Sequence, residues 1–165
     1  MGIRFNIDEI LEMAIRIETN GRAFYLHAAE IESDKKMISL FNKLAAMEEQ
    51  HIKTFERFRD DLSEAEKEGQ VYDPDGQALM YLSVMADTHG GEGDPQIAKT
   101  LTGKESLQEI LNIALSLEKQ SILFYVGLKD LVRQKHGKDK VDAIIDEEKQ
   151  HIAQLSEILR NARVS

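Results

Sequence analysis

The sequence predicts an all-α protein, a four-helix bundle in which two helical hairpins are joined by a long crossover. Apolar residues recur at steps of three and four over four long stretches, which is the period of amphipathic helices. Both prolines and six of the ten glycines lie between residues 69 and 103, where that period is lost. The segments before and after this region also resemble each other at an offset of 100 positions, as expected for two similar hairpins.

The first hairpin is predicted to span residues 6–68 and to contain two helices. Asn6 followed by Glu9 has the pattern of a capping box, so the first helix should begin directly after Asn6. It should end near Glu32, because Asp34 suits the N-cap of the next helix. The apolar stripe of the second helix then fades toward the end of the hairpin.

The crossover is predicted to occupy residues 69–103 as a connection and not as a second domain, so residues 1–165 should form one domain. Within it, residues 78–86 are predicted to form a short helix. A long crossover lets the second hairpin run in the direction that places equivalent helix faces opposite one another. A further hypothesis is that this segment controls access to the bundle interior.

The second hairpin is predicted to span residues 104–165 and repeats the features of the first. Ser106 with Glu109 is a second capping box, which should start the third helix. His136 and Gly137 are interpreted as the turn between the third and fourth helices, with the glycine suited to a left-handed helix cap.

The internal repeat includes chemically active residues as well as core positions. The matched pairs are Glu9/Glu109, Ala14/Ala114, Glu18/Glu118, Phe24/Phe124, Tyr25/Tyr125, Glu48/Glu148 and His51/His151. In each hairpin the two glutamates are 30 residues apart with a turn between them, so they should reach similar heights on antiparallel helices.

Each of the four apolar stripes is interrupted by an acidic residue. Helices one and three carry one glutamate each, and helices two and four carry a Glu-x-x-His pair whose members face the same way. The six residues are Glu18, Glu48, His51, Glu118, Glu148 and His151. Four carboxylates directed into a bundle core are costly unless they are compensated. Two divalent cations would compensate them, and carboxylate with imidazole suits iron or manganese, with zinc also possible.

On these motifs the chain resembles the ferritin-like superfamily and, within it, the rubrerythrin-like proteins that lack a rubredoxin domain. The resemblance covers essentially the whole chain. It implies a di-iron centre in which Glu48 and Glu148 bridge the two metals. Glu18 with His51 would then complete one metal position, and Glu118 with His151 would complete the other.

The resemblance also gives a role to two tyrosines. Tyr25 and Tyr125 lie seven residues after Glu18 and Glu118, so they share the faces of those glutamates. Members of the family often have a tyrosine there that is hydrogen-bonded to a ligand carboxylate. The alternative interpretation is that each tyrosine is a core residue whose hydroxyl finds any available partner.

Two features depart from the peroxidase-type rubrerythrins. Those proteins have an additional ligand glutamate three residues from the one in helix three, where this chain has Leu115 and Ser121. The chain also has no cysteine, so it contains no rubredoxin iron centre. The resemblance therefore implies a six-ligand site that receives electrons from an external donor, such as a rubredoxin-type protein.

The function that the resemblance implies is that of a non-haem di-iron oxidoreductase, which reduces hydrogen peroxide or dioxygen as a homodimer. A cytoplasmic location is expected separately, because the sequence has neither a signal-peptide pattern at its start nor an apolar run of membrane-span length. Two alternatives stay open. A ferroxidase that passes iron to a store would share the site but form a larger assembly. A helical interaction module would hold a redox-inert structural metal, such as zinc, with no open ligand position.

The net charge of the chain argues against nucleic-acid and membrane partners. At −9 with a pI near 5.1, the chain should be repelled by nucleic acid and by anionic membranes. The first residues lack the apolar core of a signal peptide, and no apolar run approaches the roughly 20 residues of a membrane span.

Other titratable residues near these motifs are predicted to lie outside the site. His27 lies off the stripe of helix one, and His136 in the proposed turn, so both are expected to be solvated. His89 precedes two glycines and is interpreted as a loop residue. Glu49 and Glu147 adjoin the proposed ligands but point about 100° away from them, toward the surface or the periphery of the site.

Overall fold

The structure, a computed structural model, describes residues 6–68, 73–87, 101–132 and 135–164. These residues form six helices: α1 (Ile7–Ile31), α2 (Lys35–Asp60), α3 (Glu64–Glu68), α4 (Gln77–Asp87), α5 (Leu107–Leu131) and α6 (Lys135–Val164). Helix α1 packs along α2, and α5 packs along α6, while α1 also contacts α5 and α2 contacts α6. The predicted four-helix bundle of two hairpins is confirmed. None of the described helices is both long and apolar enough to cross a membrane.

The predicted helix starts are confirmed at the atomic level. The Asn6 side chain accepts from the backbone N–H of Glu9 at 2.8 Å, and the Glu9 carboxylate accepts from the Asn6 backbone at 2.9 Å. Ser106 and Glu109 form the equivalent capping box at the start of α5. Oδ1 of Asp34 accepts two backbone N–H groups of the first turn of α2, at 2.7 and 3.2 Å. These bonds satisfy helix-end donors that would otherwise lack partners.

The predicted turn at His136 and Gly137 is wrong, because α6 already begins at Lys135. Gly137 is not in the left-handed region of φ; among the described glycines only Gly76 and Gly103 are. A Cβ added at Gly137 would lie 2.6 Å from Cγ1 of Val132. Glycine at this position therefore permits the start of α6 to approach the end of α5 closely, and it does not act as a left-handed cap.

Helix α4 confirms the short helix predicted within the crossover, and it packs on α5. A Cβ added at Gly127 of α5 would lie 2.7 Å from the ring of Tyr81, so α4 lies very close to the α5 backbone there. The Tyr81 hydroxyl donates to the carbonyl oxygen of Leu123 at 2.6 Å, and Leu82 beside it is fully buried. His89 lies outside the described part of the chain, as do residues 69–72 and 88–100 of the crossover, so the hypothesis that the 69–103 segment controls access stays a prediction.

Two apolar clusters occupy opposite ends of the bundle. One joins the second half of α1 and the first half of α2 to the first half of α5 and the second half of α6, and it includes Phe24, Phe41, Leu111 and Leu155. The other joins the opposite halves of the same helices with α4, and it includes Ile10, Phe55, Leu82, Leu128 and Val141. The layer between them contains the charged residues of the four stripes.

Candidate metal centre

The middle layer of the bundle holds a buried cluster of carboxylates and imidazoles. Helices α1 and α5 each contribute one glutamate, and α2 and α6 each contribute a Glu-x-x-His pair from a single face. No member is more than 3% exposed: Glu18, Glu48, His51, Glu118, Glu148 and His151. The structure therefore brings together all six residues that the stripes predicted to meet.

The cluster divides into two overlapping groups of four. In each group, one ligand atom from every residue lies within 4.8 Å of the others. The first group is Glu18, Glu48, His51 and Glu148, and the second is Glu48, Glu118, Glu148 and His151. Glu48 and Glu148 are common to both groups, which is the arrangement needed for two ions held side by side by shared carboxylates.

Each imidazole directs Nδ1 toward the carboxylates. Nδ1 of His51 lies 3.1 Å from Glu148 Oε1, 3.2 Å from Glu18 Oε2 and 3.5 Å from Glu48 Oε2. The two histidine rings are roughly parallel, with centroids 6.1 Å apart. Three carboxylate oxygens around one imidazole nitrogen leave space for a cation, or for a proton in its place.

The second imidazole has a looser set of neighbours. Nδ1 of His151 lies 2.9 Å from Glu148 Oε2, 3.5 Å from Glu118 Oε1 and 4.0 Å from Glu48 Oε1. The two oxygens of Glu148 are thus divided between the two histidines, Oε1 toward His51 and Oε2 toward His151. This division places Glu148 at the centre of the cluster.

Burial makes the charged forms of these carboxylates costly. It raises the pKa of Glu48 well above its usual value, and the negative charge of Glu18 adds to this rise. Burial likewise raises the pKa of Glu118 to about 8, although a hydrogen bond with His151 opposes the change. Without a cation, the cluster therefore retains protons at neutral pH.

The pKa values of the two imidazoles rise, whereas the pKa of the central carboxylate, Glu148, falls. Burial lowers the pKa of His51, but the carboxylates of Glu148 and Glu18 beside Nδ1 outweigh it and raise the pKa well above its usual value. Burial also lowers the pKa of His151, but hydrogen bonds to Glu118 and Glu148 outweigh this effect and raise the pKa to about 9. Burial would raise the pKa of Glu148, but its contacts with the imidazoles of His151 and His51 hold it below its usual value. Protonated imidazoles thus supply the positive charge that a metal would otherwise supply.

The donor set fits divalent cations. Among the described residues, these four carboxylates form ion pairs only with the two histidines and with no lysine or arginine. Oε1 of Glu148 is buried without a hydrogen bond of acceptable geometry in the described part of the chain, although Nδ1 of His51 lies 3.1 Å away. Such an orphaned acceptor is costly unless something binds it. Carboxylate and imidazole ligands suit iron and manganese, and they also bind zinc.

The two tyrosines connect the hairpins through this cluster. The Tyr25 hydroxyl donates to Glu118 Oε1, and the Tyr125 hydroxyl donates to Glu18 Oε1. Each tyrosine therefore bonds the glutamate of the opposite hairpin and not the one on its own helix. Burial and the nearby carboxylates raise both phenol pKa values well above 10, so the hydroxyls act as neutral donors.

Outside the six residues, two contacts involve the far nitrogens of the imidazoles. Nε2 of His51 lies 2.9 Å from Oε2 of Glu147, and Nε2 of His151 lies 3.3 Å from Sδ of Met47. Glu147 was expected at the surface or the periphery of the site, and its side chain is indeed 44% exposed. Glu49 faces outward, with Oε2 3.0 Å from Nε of Arg22. Met47 was not predicted to lie near the site. Its match to Glu147 at the 100-residue offset is the sequence signal that could have indicated this position.

The prediction that His27 is solvated needs correction. Its Nε2 donates to the carbonyl oxygen of Leu101 at 3.0 Å, and its side chain is only 35% exposed. His27 lies off the apolar stripe of α1, and the end of the crossover packs against that face, a contact that periodicity along α1 does not reveal.

Comparisons with known proteins agree with this geometry. The Rubrerythrin family model matches residues 9–84, a range that includes Glu18, Glu48 and His51. A solved structure from Thermotoga maritima, described as a candidate ferritin-like diiron-carboxylate protein, is 27% identical to this chain with a TM-score of 0.74. The match covers 98% of this chain and 99% of that one.

This chain has the ferritin-like fold, and its residues 9–84 are similar to the rubrerythrins. No sequence among the curated proteins matches it. With the buried glutamate and histidine cluster, the family match and the structural match support a metal site of the di-iron carboxylate kind. The match to the family model and the charged residues of the four stripes thus indicate the same layer of the bundle as the metal site.

Proposed function

We propose that this rubrerythrin-like chain is a non-haem di-iron oxidoreductase that reduces hydrogen peroxide or dioxygen with electrons from an external donor. One observation carries the proposal: two groups of four buried ligands share Glu48 and Glu148. Shared carboxylates hold two metals close enough to act as a pair. A single structural ion would need only one of the two groups.

Each proposed ligand has a role that follows from its group. Glu18 and His51 would complete the first metal position, and Glu118 and His151 would complete the second. Glu48 and Glu148 would bridge the two. Four protein ligands would close a tetrahedral zinc site, whereas iron with the same ligands keeps positions open for an oxidant.

The bound pair of ferrous ions would supply two electrons, the number that reduces one hydrogen peroxide to two waters when two protons are added. The chain's own residues hold this chemistry in place. Tyr25 and Tyr125 each fix one carboxylate of the opposite hairpin through a neutral hydroxyl. The two apolar clusters at either end of the layer exclude bulk water from it.

The electron donor must be a separate centre, because this chain has no cysteine for a rubredoxin-type iron site. The additional glutamate of the peroxidase-type proteins is also absent. Leu115 and Ser121 stand at the flanking positions, and the Ser121 hydroxyl donates to the Leu117 carbonyl within its own helix. These features support a six-ligand site served by an external donor, such as a rubredoxin-type protein.

The test is to load the metal-free protein with ferrous iron without oxygen, measure bound iron by elemental analysis and then titrate hydrogen peroxide. We expect about two irons per chain, a new near-ultraviolet band of oxo-bridged ferric iron, and one peroxide consumed per iron pair. Failure to bind iron, or binding without any reaction with peroxide or dioxygen, would exclude the redox function and favour a structural metal.

A ferroxidase would give the same metal stoichiometry, so the assembly must be measured as well. We propose a homodimer for the oxidoreductase, whereas iron storage needs a closed cage of many subunits. Light scattering after size-exclusion chromatography separates the two. A cage-sized assembly would replace our proposal with an iron-handling role, and continued turnover with a reductant would support the oxidoreductase.

A further inference from the structure

Positions 47 and 147 are equivalent in the internal repeat, and each lies behind the histidine of the opposite hairpin. Glu147 of α6 contacts His51 of α2, with 2.9 Å between Oε2 and Nε2. Met47 of α2 contacts His151 of α6, with 3.3 Å between Sδ and Nε2. The two contacts have the same geometry in the bundle, but one partner is a carboxylate and the other a thioether.

This difference changes what each imidazole can do. An ionised carboxylate only accepts hydrogen bonds, so Nε2 of His51 must carry the proton that it shares with Glu147. When a cation displaces the proton on Nδ1, the Nδ1 lone pair of His51 faces the cluster and would bind that cation. A thioether sulfur is a weak acceptor and carries no charge, so Met47 does little to fix the tautomer of His151.

We propose that the two metal positions are inequivalent, and that Glu147 acts as a positioning residue that makes the His51 position the tighter one. This inference rests on the proposed function, because it takes the cluster as two metal positions. A carboxylate behind a ligand imidazole fixes its orientation and raises its basicity. Loss of such a partner lowers metal affinity by about 10- to 100-fold.

The local charge favours the same position. The His51 position would have three carboxylates among its ligands and a fourth, Glu147, behind its imidazole. The His151 position would also have three carboxylates but only the neutral Met47 behind its imidazole. At less than one equivalent, a divalent cation should therefore collect beside His51. The pair would fill in a defined order, and each position could hold a different metal.

The test must separate this intrinsic difference from repulsion between neighbouring ions, which makes even identical positions fill in two steps. Single-position variants do so. His151→Ala leaves only the His51 position complete, and His51→Ala leaves only the other. With Co²⁺ as the probe and isothermal titration calorimetry as the readout, we expect the His151→Ala protein to bind about 10- to 100-fold more tightly than the His51→Ala protein.

A second substitution tests whether Glu147 causes the difference in Co²⁺ affinity between the two positions. Glu147→Gln should weaken Co²⁺ binding about tenfold in the His151→Ala protein and leave it unchanged in the His51→Ala protein. Glu49→Gln is the matched control, because Glu49 is a similarly exposed glutamate in the same layer that pairs with Arg22. A general loss of structure would affect both backgrounds equally, whereas a positioning role affects only one.

The reciprocal substitution, Met47→Glu, should tighten Co²⁺ binding in the His51→Ala protein toward the value of the other position. Equal affinities in the two single-position proteins, with no selective effect of Glu147→Gln, would overturn this inference and leave the proposed function intact. Failure of the unsubstituted protein to bind about two Co²⁺ or Fe²⁺ per chain would overturn both. If the Met47→Glu protein fails to fold, the effects of Glu147→Gln in the two single-position proteins still decide whether the inference holds.

Discussion

The first hairpin, α1 with α2, and the second, α5 with α6, place the same ligand types at the same heights but differ where they meet the rest of the molecule. At position 27 of the first hairpin, His27 donates to the Leu101 carbonyl at the end of the crossover. At the equivalent position of the second, Gly127 leaves room for Tyr81 of α4. Two parts of one connection, α4 and the segment at Leu101, thus contact matched sites in different ways.

A second difference lies at the open ends of the hairpins. In the first, Arg59 near the end of α2 donates two hydrogen bonds of 2.8 Å to the carboxylate of Asp8 near the start of α1. In the second, the equivalent of Asp8 is Gln108, which donates one bond of 3.2 Å to the Ala162 carbonyl. Equivalence is therefore strict among the six residues of the cluster, where ligand geometry requires it, and relaxed elsewhere.

The largest expected effect concerns the ligands that the hairpins share. Glu48→Gln and Glu148→Gln should each weaken the binding of both ions, by at least ~100-fold, because each carboxylate belongs to both groups. Glu18→Gln and Glu118→Gln should each remove one ion and leave the other. Iron per chain after dialysis, measured by elemental analysis, distinguishes the outcomes. Retention of two ions by the Glu48→Gln protein would contradict the bridging role.

Removal of the metal should make the bundle sensitive to alkali. Glu118 and His151, with pKa values of about 8 and about 9, both bind their protons more tightly in the folded metal-free protein than in the unfolded chain. That stabilisation is fully present in mild acid and declines as pH rises through these values. We expect the unfolding temperature of the metal-free protein to fall by at least about 3 °C between pH 6 and pH 9.

The metal-loaded protein is the control for this experiment, because bound cations replace the protons and its unfolding temperature should change less over the same range. The metal-free Glu118→Gln protein should also show a smaller fall, since one of the two titrating groups is gone. An unfolding temperature that rises from pH 6 to pH 9 without metal would contradict the assigned proton affinities.

The comparison of hairpins also shows what sequence could reveal. Helical period, capping boxes and the 100-residue repeat depend on local spacing, so α1, α2, α5 and the six cluster residues could be predicted. The crossed bonds of Tyr25 and Tyr125, and the contact of Glu147 with His51, depend on how one hairpin rotates against the other. Periodicity along a single helix contains no information on that rotation.

Gly137 illustrates the remaining error. Glycine next to an expected helix end suggested a left-handed cap, which is its commonest role there. The structure instead uses it where Val132 leaves no room for a Cβ. Both roles require glycine, so the residue type alone could not distinguish a special φ angle from a close approach.

A moderate effect is expected where the crossover meets the second hairpin. Gly127→Ala would place a Cβ 2.7 Å from the Tyr81 ring and 3.0 Å from Cδ2 of Leu82. The Tyr81 ring is held by its bond to the Leu123 carbonyl, so we expect a loss of about 1–3 kcal/mol in the free energy of unfolding. Denaturant titration measures this loss of stability. If α4 detaches from α5, the buried side chain of Leu82 should also become exposed.

The matched control is Gly21→Ala in the first hairpin. Its Cβ would lie 3.6 Å from the nearest atom of Glu48, which is ordinary contact. The change should be neutral or stabilising by up to about 1 kcal/mol, because alanine is the better helix former. Equal losses at the two glycines would mean that the contact with α4 does not explain the cost at Gly127.

The smallest expected effect tests the open ends. Asp8→Asn should lower the free energy of unfolding by about 1 kcal/mol at neutral pH, because a two-point, partly buried ion pair is stronger than an ordinary surface pair. Gln108→Ala, at the equivalent position, should change it by no more than about 0.5 kcal/mol. Denaturant titrations at low and high salt measure both, and only the first should depend on salt.

The acid dependence gives an independent check on the same pair. The hydrogen bonds from Arg59 hold the pKa of Asp8 below its usual value. The contribution of Asp8 is therefore present above the pKa of the unfolded chain and is lost as pH falls through the lower folded value. The difference between unsubstituted and Asp8→Asn proteins should shrink as pH falls below the usual aspartate pKa of about 3.9 and through the lower folded value. A difference that persists in acid would mean that helix-end packing, and not the ion pair, distinguishes the two hairpin ends.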